Sequence, residues 1–119
     1  MRLLIAGSRD FPDLELVKEY VKRLPLDTEI ITIRKDGTNN VARNQAMFQE
    51  LYLYDNYSRT DGKWKNLTTI DRYNLALQDC DKCTIFWTKD KHDDIEKLVT
   101  LVKDSEKLLD LITEESIFE

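Results

Sequence analysis

Met1-Arg2-Leu3-Leu4-Ile5-Ala6-Gly7-Ser8-Arg9-Asp10 decides the fold. Its apolar run has no alternation, so Arg2 to Ala6 reads as a strand buried on both faces. The run stops abruptly at Gly-Ser-Arg-Asp, and a helical pattern follows. A buried strand that feeds a polar turn and then a helix is a common phosphate or nucleotide site. The turn offers backbone N–H groups, and the helix adds the positive end of its dipole.

Working outward, a helix begins at Phe11-Pro12-Asp13, with Leu14, Val17, Tyr20, Val21 and Leu24 at helical spacing. Pro12 suits a first turn and Pro25 marks the stop. Thr28 to Ile33 reads as a second strand, rich in β-branched residues. Arg34 to Asn40 reads as a polar loop containing Gly37. Val41 to Leu53 fits a second helix, with Val41, Gln45, Phe48 and Tyr52 along one face. Tyr54 to Asn66 is irregular and polar, and a loop this long in a small domain is usually functional or disordered. Its Tyr54, Tyr57 and Trp64 argue against plain disorder. Thr68 or Thr69 caps a third helix through Asp79, with Ile70, Tyr73, Leu77 and Cys80 on its apolar face. Lys82 to Trp87 is a further strand. Thr88 to His92 is a turn, and a helix opens at Asp93-Asp94 and runs to Lys103. Ser105 to Thr113 fits either more helix or a last strand.

The alternating order implies an α/β fold, a Rossmann-like three-layer sandwich with a mainly parallel sheet and right-handed crossovers. In such sheets ligands bind beyond the carboxyl ends of the strands. Those ends are Gly7–Asp10, Arg34–Asn40 and Thr88–Asp94. The chain has only three glycines, Gly7, Gly37 and Gly62, and two of them fall there. That placement fits close ligand approach, or simply the needs of turns.

The bulk numbers narrow the function. A chain of 119 residues, 41% hydrophobic and 34% charged, suits one domain with a modest core. Net charge is −5, which argues against a general binder of nucleic-acid backbones. No apolar run approaches the roughly 18 residues that cross a membrane, and no signal peptide is read, so a cytoplasmic protein is expected. Cys80 and Cys83 form the one Cys-x-x-Cys. As a zinc half-site it lacks a second pair, since His92 is the sole histidine. As a redox pair it should open a helix, yet Cys83 lies in a strand-like run. Two ordinary buried thiols are the simpler reading. Asp90, His92, Asp93 and Asp94 could bind a metal or do acid/base work, but a solvated helix start accounts for them better. No residue set names a cofactor or a metal.

Leu3-Leu-Ile-Ala-Gly-Ser-Arg-Asp-Phe11 resembles the opening of the SLOG superfamily, which contains the DNA-uptake protein DprA and the Lonely Guy phosphoribohydrolases. The nearest branch is its small stand-alone, YspA-like domain of unknown function. Arg72 to Trp87 also fits that branch in spacing, with Arg72, Asp81, Phe86 and Trp87 on the family's Arg, Asp, Phe and Trp. The likeness covers most of residues 1–103; residues 104–119 fall outside it. The chain departs at the second-strand loop, Ile33 to Asn40. There only Gly37 remains of three family glycines, and Asn39 stands for an Asp. Tyr73 replaces the Asn of an Arg-Asn pair, and His92-Asp93-Asp94 replaces a Gly-Thr turn. Acids there repel phosphate, while Arg34 and Lys35 could restore contacts. The Pro-Gly-Gly-x-Gly-Thr motif of the Lonely Guy enzymes is absent, so their activity is not carried over.

The resemblance implies binding of a nucleotide or nucleotide-derived small molecule, as a sensor or sequestering protein of phage or bacterial type. Gly7, Ser8, Arg9, Asp10, Gly37, Thr38, Asn39, Arg72 and Trp87 would line the site. Arg9 would clamp an anion, or be a surface arginine beside a helix-capping Ser8. Arg72 would close on the same anion, or pair with Asp71 or Asp79. Trp87 and Trp64 could stack a base, though Trp87 sits in an apolar strand that favours packing. Two other readings stay open. One is an N-glycosidic-bond hydrolase using Asp10, Asp93 or Asp94. The other is a ligand-free scaffold presenting Arg34-Lys35 and the Tyr54–Asn66 loop to a protein. A homodimer is expected from the resemblance. Leu98, Leu101, Val102, Leu108, Leu109, Leu111 and Ile112 would form either its interface or the core.

Overall fold

The structure is a computed structural model. It describes residues 1–8, 11–33, 37–54, 57, 59–88, 94–105 and 108–113, without the side chains of 94, 108 and 113. Five strands, β1 (Arg2–Gly7), β2 (Glu29–Ile31), β3 (Tyr52–Tyr54), β4 (Lys82–Trp87) and β5 (Leu108–Thr113), form one sheet. Its order is β3-β2-β1-β4-β5, and every pairing is parallel. This is the Rossmann-like sandwich that the alternating sequence predicts. The chain reverses its direction of travel across the sheet between β1 and β4, so the crevice between their carboxyl ends is the topological switch point.

The helices are α1 (Leu14–Lys22), α2 (Gly37–Phe48), α3 (Thr69–Asp79) and α4 (Asp94–Ser105). Strand alternation splits the core in two. Leu3, Ile5, Ile30 and Phe86 face Val17 and Val21 of α1 and Ala42 and Ala46 of α2. Leu4, Ala6, Ile31, Cys83 and Ile85 face Tyr73 and Leu77 of α3 and Ile95, Leu98 and Val102 of α4. Among the described residues no helix is long and apolar enough to cross a membrane.

Local chemistry fixes the helix starts. The Asp13 carboxylate accepts the Leu16 N–H at 3.1 Å and caps α1. Thr68 and Asp71 exchange side-chain and backbone hydrogen bonds in a capping box at α3.

Two elements differ from the sequence reading. The second helix begins at Gly37, not Val41, and ends at Phe48, not Leu53. Gly37 enters it with φ of 49°, a conformation natural to glycine. At the far end Glu50 N–H donates to Met47 O, and Leu51 N–H to Ala46 O. Glu50 has φ of 63°, so a Schellman turn stops the helix with glutamate where glycine is usual. That missing glycine hid both the stop and β3 beyond it. The buried face is therefore Thr38, Asn39, Ala42, Gln45 and Ala46. Phe48 is 84% exposed and Tyr52, on the edge strand, 61%. Of the two readings of Ser105–Thr113, strand is the observed one for Leu108–Thr113.

Of the apolar residues read as interface or core, two are core and four are partly buried against it. Leu98 and Val102 are fully buried, Leu101, Leu109 and Leu111 pack beside them, and Ile112 packs on the α1 side. The Leu108 side chain lies outside the described residues. Cys80 and Cys83 are free and buried. Burial, then the neighbouring Cys80, pushes the Cys83 thiol far up, so it stays protonated and unreactive.

Candidate functional site

At the switch point the ladder runs on past the strand ends. Ser8 N–H donates to Phe86 O at 2.9 Å, and Thr88 N–H donates to Ser8 Oγ at 3.1 Å. Ser8 thus ties β1 to β4, which is neither the cap nor the free anion ligand that its position suggested. The hydroxyl can still donate one hydrogen bond.

Gly7 faces the α1–α2 side, and the first turn of α2 lies directly on it. A Cβ built on Gly7 would sit 2.6 Å from Thr38 Cβ, Cγ2 and Oγ1. Glycine is required here for close helix–strand approach, and this brings Thr38 and Asn39 to the carboxyl end of β1. Thr32 follows β2 on the same side, because Ile30 faces α1 and α2 and Ile31 faces away.

The side chains gathered here are buried, polar and unsatisfied. Thr32 Oγ1, Thr38 Oγ1, both Oδ1 and Nδ2 of Asn39, and Thr88 Oγ1 have no hydrogen-bond partner among the described residues. Thr28 Oγ1, at the opposite end of β2, is also unpartnered. Thr84, fully buried in the middle of β4, shares a 2.7 Å hydrogen bond with Tyr20 Oη. Each buried polar group left unpaired costs about 1–3 kcal/mol. Such groups at the switch point mark it as the candidate site.

Trp87, half-buried, packs against the α3–α4 core, as its apolar strand predicts. Arg72 is not brought to the strand ends as a free cation. Its Nε donates to Leu67 O at 3.4 Å, Nη1 to Tyr57 O at 2.8 Å and to Arg59 O, and Nη2 to Trp64 O at 2.8 Å. The guanidinium clasps the loop ahead of α3 by its carbonyls, pairing with neither Asp71 nor Asp79. Tyr57 and Trp64 meet edge to face, 5.8 Å between centroids, and both pack into the core. The aromatic side chains of the loop therefore point inward, which removes them from the expected partner surface. Tyr57 Oη donates to Asp79, and this bond and burial raise its pKa, burial contributing more.

Arg9, Asp10, Arg34, Lys35, Asp90, His92 and Asp93 lie outside the described residues. The Asp94 backbone opens α4. Among the described residues no three His, Cys, Asp or Glu side chains group as metal ligands. Sequence reasoning missed Thr32 and Thr88. Their signal was a β-branched hydroxyl directly after each of two apolar strands.

No family model matches this chain, and no curated protein or solved structure matches it.

Proposed function

We propose that the protein binds a nucleotide or nucleotide-derived small molecule at the carboxyl ends of its parallel strands, as a sensor or sequestering protein. The observation that carries this reading is the cluster of unpartnered buried polar atoms on Thr32, Thr38, Asn39 and Thr88. It lies at the switch point, where open parallel sheets take their ligands. Gly7, Ser8 and Gly37 frame it, and Arg9 and Asp10 continue the chain from Ser8. The likeness of the first turn to the SLOG superfamily supports the same reading and the same family placement.

The test is mass spectrometry of small molecules released on denaturing freshly purified protein. A thermal-shift panel of nucleotides, ADP-ribose and cyclic derivatives runs beside it. A stoichiometric nucleotide, or stabilisation that Arg9→Ala abolishes, is the expected result. An empty protein that nothing in the panel stabilises overturns the proposal.

A further inference from the structure

The Asn39 side chain says which part of a ligand the cleft reads. It is 1% exposed, and neither end of its amide has a partner among the described residues. Because both ends lack a partner, turning the amide over changes nothing. Thr38 Oγ1 and Thr32 Oγ1 also have no partner among the described residues. Phosphate oxygens that carry no proton only accept hydrogen bonds. They would satisfy Nδ2 and the hydroxyl protons, but would oppose Oδ1, which needs a donor. A group that carries a donor beside an acceptor satisfies both ends at once, as when a carboxamide pairs with N6 and N7 of adenine.

We infer that the floor beneath α2 selects the neutral nucleobase of the ligand through a paired contact with the Asn39 amide, and that phosphate is not the group read there. The inference rests on the nucleotide-binding reading of the same cleft and narrows it to bases that present adjacent donor and acceptor atoms. A base paired with the amide turns two unmade hydrogen bonds into two made ones. A sugar phosphate without a base cannot collect that gain.

The experiment is isothermal titration of the full chain with adenosine, guanosine, cytidine and uridine, their 5′-monophosphates, and ribose 5-phosphate. At least one nucleoside is expected to bind within about tenfold of its monophosphate, with no binding of ribose 5-phosphate. Asn39→Leu, shown by circular dichroism to be folded, is expected to lose about 10–100-fold in nucleoside affinity. Asn39→Asp keeps the acceptor and loses the donor, and should lose at least about tenfold. Monophosphates and ribose 5-phosphate binding alike, with no nucleoside bound, would overturn this inference and leave the nucleotide-binding reading standing. Wild-type nucleoside affinity in folded Asn39→Leu would also overturn it. Binding of none of these compounds would overturn this inference, and the nucleotide-binding reading falls with it if the ADP-ribose and cyclic-nucleotide panel is also empty.

Discussion

Replacing Asn39 by leucine should make the ligand-free protein more stable, although it changes a fully buried residue of the first turn of α2. Most buried substitutions destabilise by about 1 kcal/mol, so the sign is a sharp test. The Asn39 amide is 1% exposed and unpartnered at both Oδ1 and Nδ2. Burying an amide without compensating hydrogen bonds costs about 1–3 kcal/mol in folded proteins. Leucine removes that cost, is close in size, and adds apolar burial next to Ala42 of the α1–α2 core. The expected gain is about 1–3 kcal/mol. At about 2.1 cal/mol/K of unfolding entropy per residue, a chain of 119 residues shifts its Tm by about 4 °C for each kcal/mol. Scanning calorimetry without ligand should therefore show Asn39→Leu melting about 4–12 °C above wild type. A Tm lower than wild type would refute the reasoning. It would mean that the folded protein already satisfies the amide, for instance through buried water, and that the cluster is structural rather than a site.

Four further outcomes follow from the same geometry. Gly7→Ala should cost about 1–3 kcal/mol in urea unfolding, and Thr38→Ala should not rescue it, because Thr38 Cβ itself lies 2.6 Å from the new methyl; rescue would show that the helix can retreat. Glu50→Gly should gain about 1 kcal/mol, since it relieves a left-handed residue at φ 63°, and an unchanged midpoint would count against strain there. Arg72→Lys should lose about 2 kcal/mol and speed tryptic cleavage after Arg59, Lys63 and Lys65, because an ammonium cannot span the four carbonyls; an unchanged cleavage rate would contradict the clasp. The Asp71 carboxyl is held below its ordinary range, chiefly by the Thr68 N–H and then by the Thr68 hydroxyl. Its stabilisation is thus complete above the unfolded carboxyl's titration near pH 4 and is lost as pH falls through its own lower pKa. Asp71→Asn should therefore flatten the stability–pH curve below about pH 4, and an identical curve would contradict the linkage.

The strands β1 and β4 were legible because short apolar runs, Leu3–Ala6 and Ile85–Trp87, bounded by polar turns, fit a buried parallel strand. The helices α1 and α3 were legible because Asp13, Thr68 and Asp71 use chemistry that acts over three or four residues. The second helix was misread at both ends for one kind of reason. Its Gly37 start reads locally as a loop, and its stop uses Glu50 in a conformation that the sequence gives no reason to expect. The three-residue β3 is too short for a pattern and exists because β2 offers it an edge.

The site divides in the same way. Gly7 and Ser8 announced themselves by ending the first strand, and Gly37, Thr38 and Asn39 by following the second. What Arg72 does was decided by the tertiary structure alone. A guanidinium takes whichever acceptors surround it, and here a loop folded back from the other side of β3 supplies its carbonyls. The unsatisfied state of Asn39 also belongs only to the fold. Burial and hydrogen bonding depend on what packs against a side chain, and Gly7 and Thr38 meet only once α2 has packed on β1. The sequence by itself determined the alternation of strand and helix, hence the layers and the end of the sheet at which a ligand sits. The close approach of α2 to Gly7 then decided which side chains wait there without partners, because the contact is between segments distant along the chain and leaves no local periodicity to read.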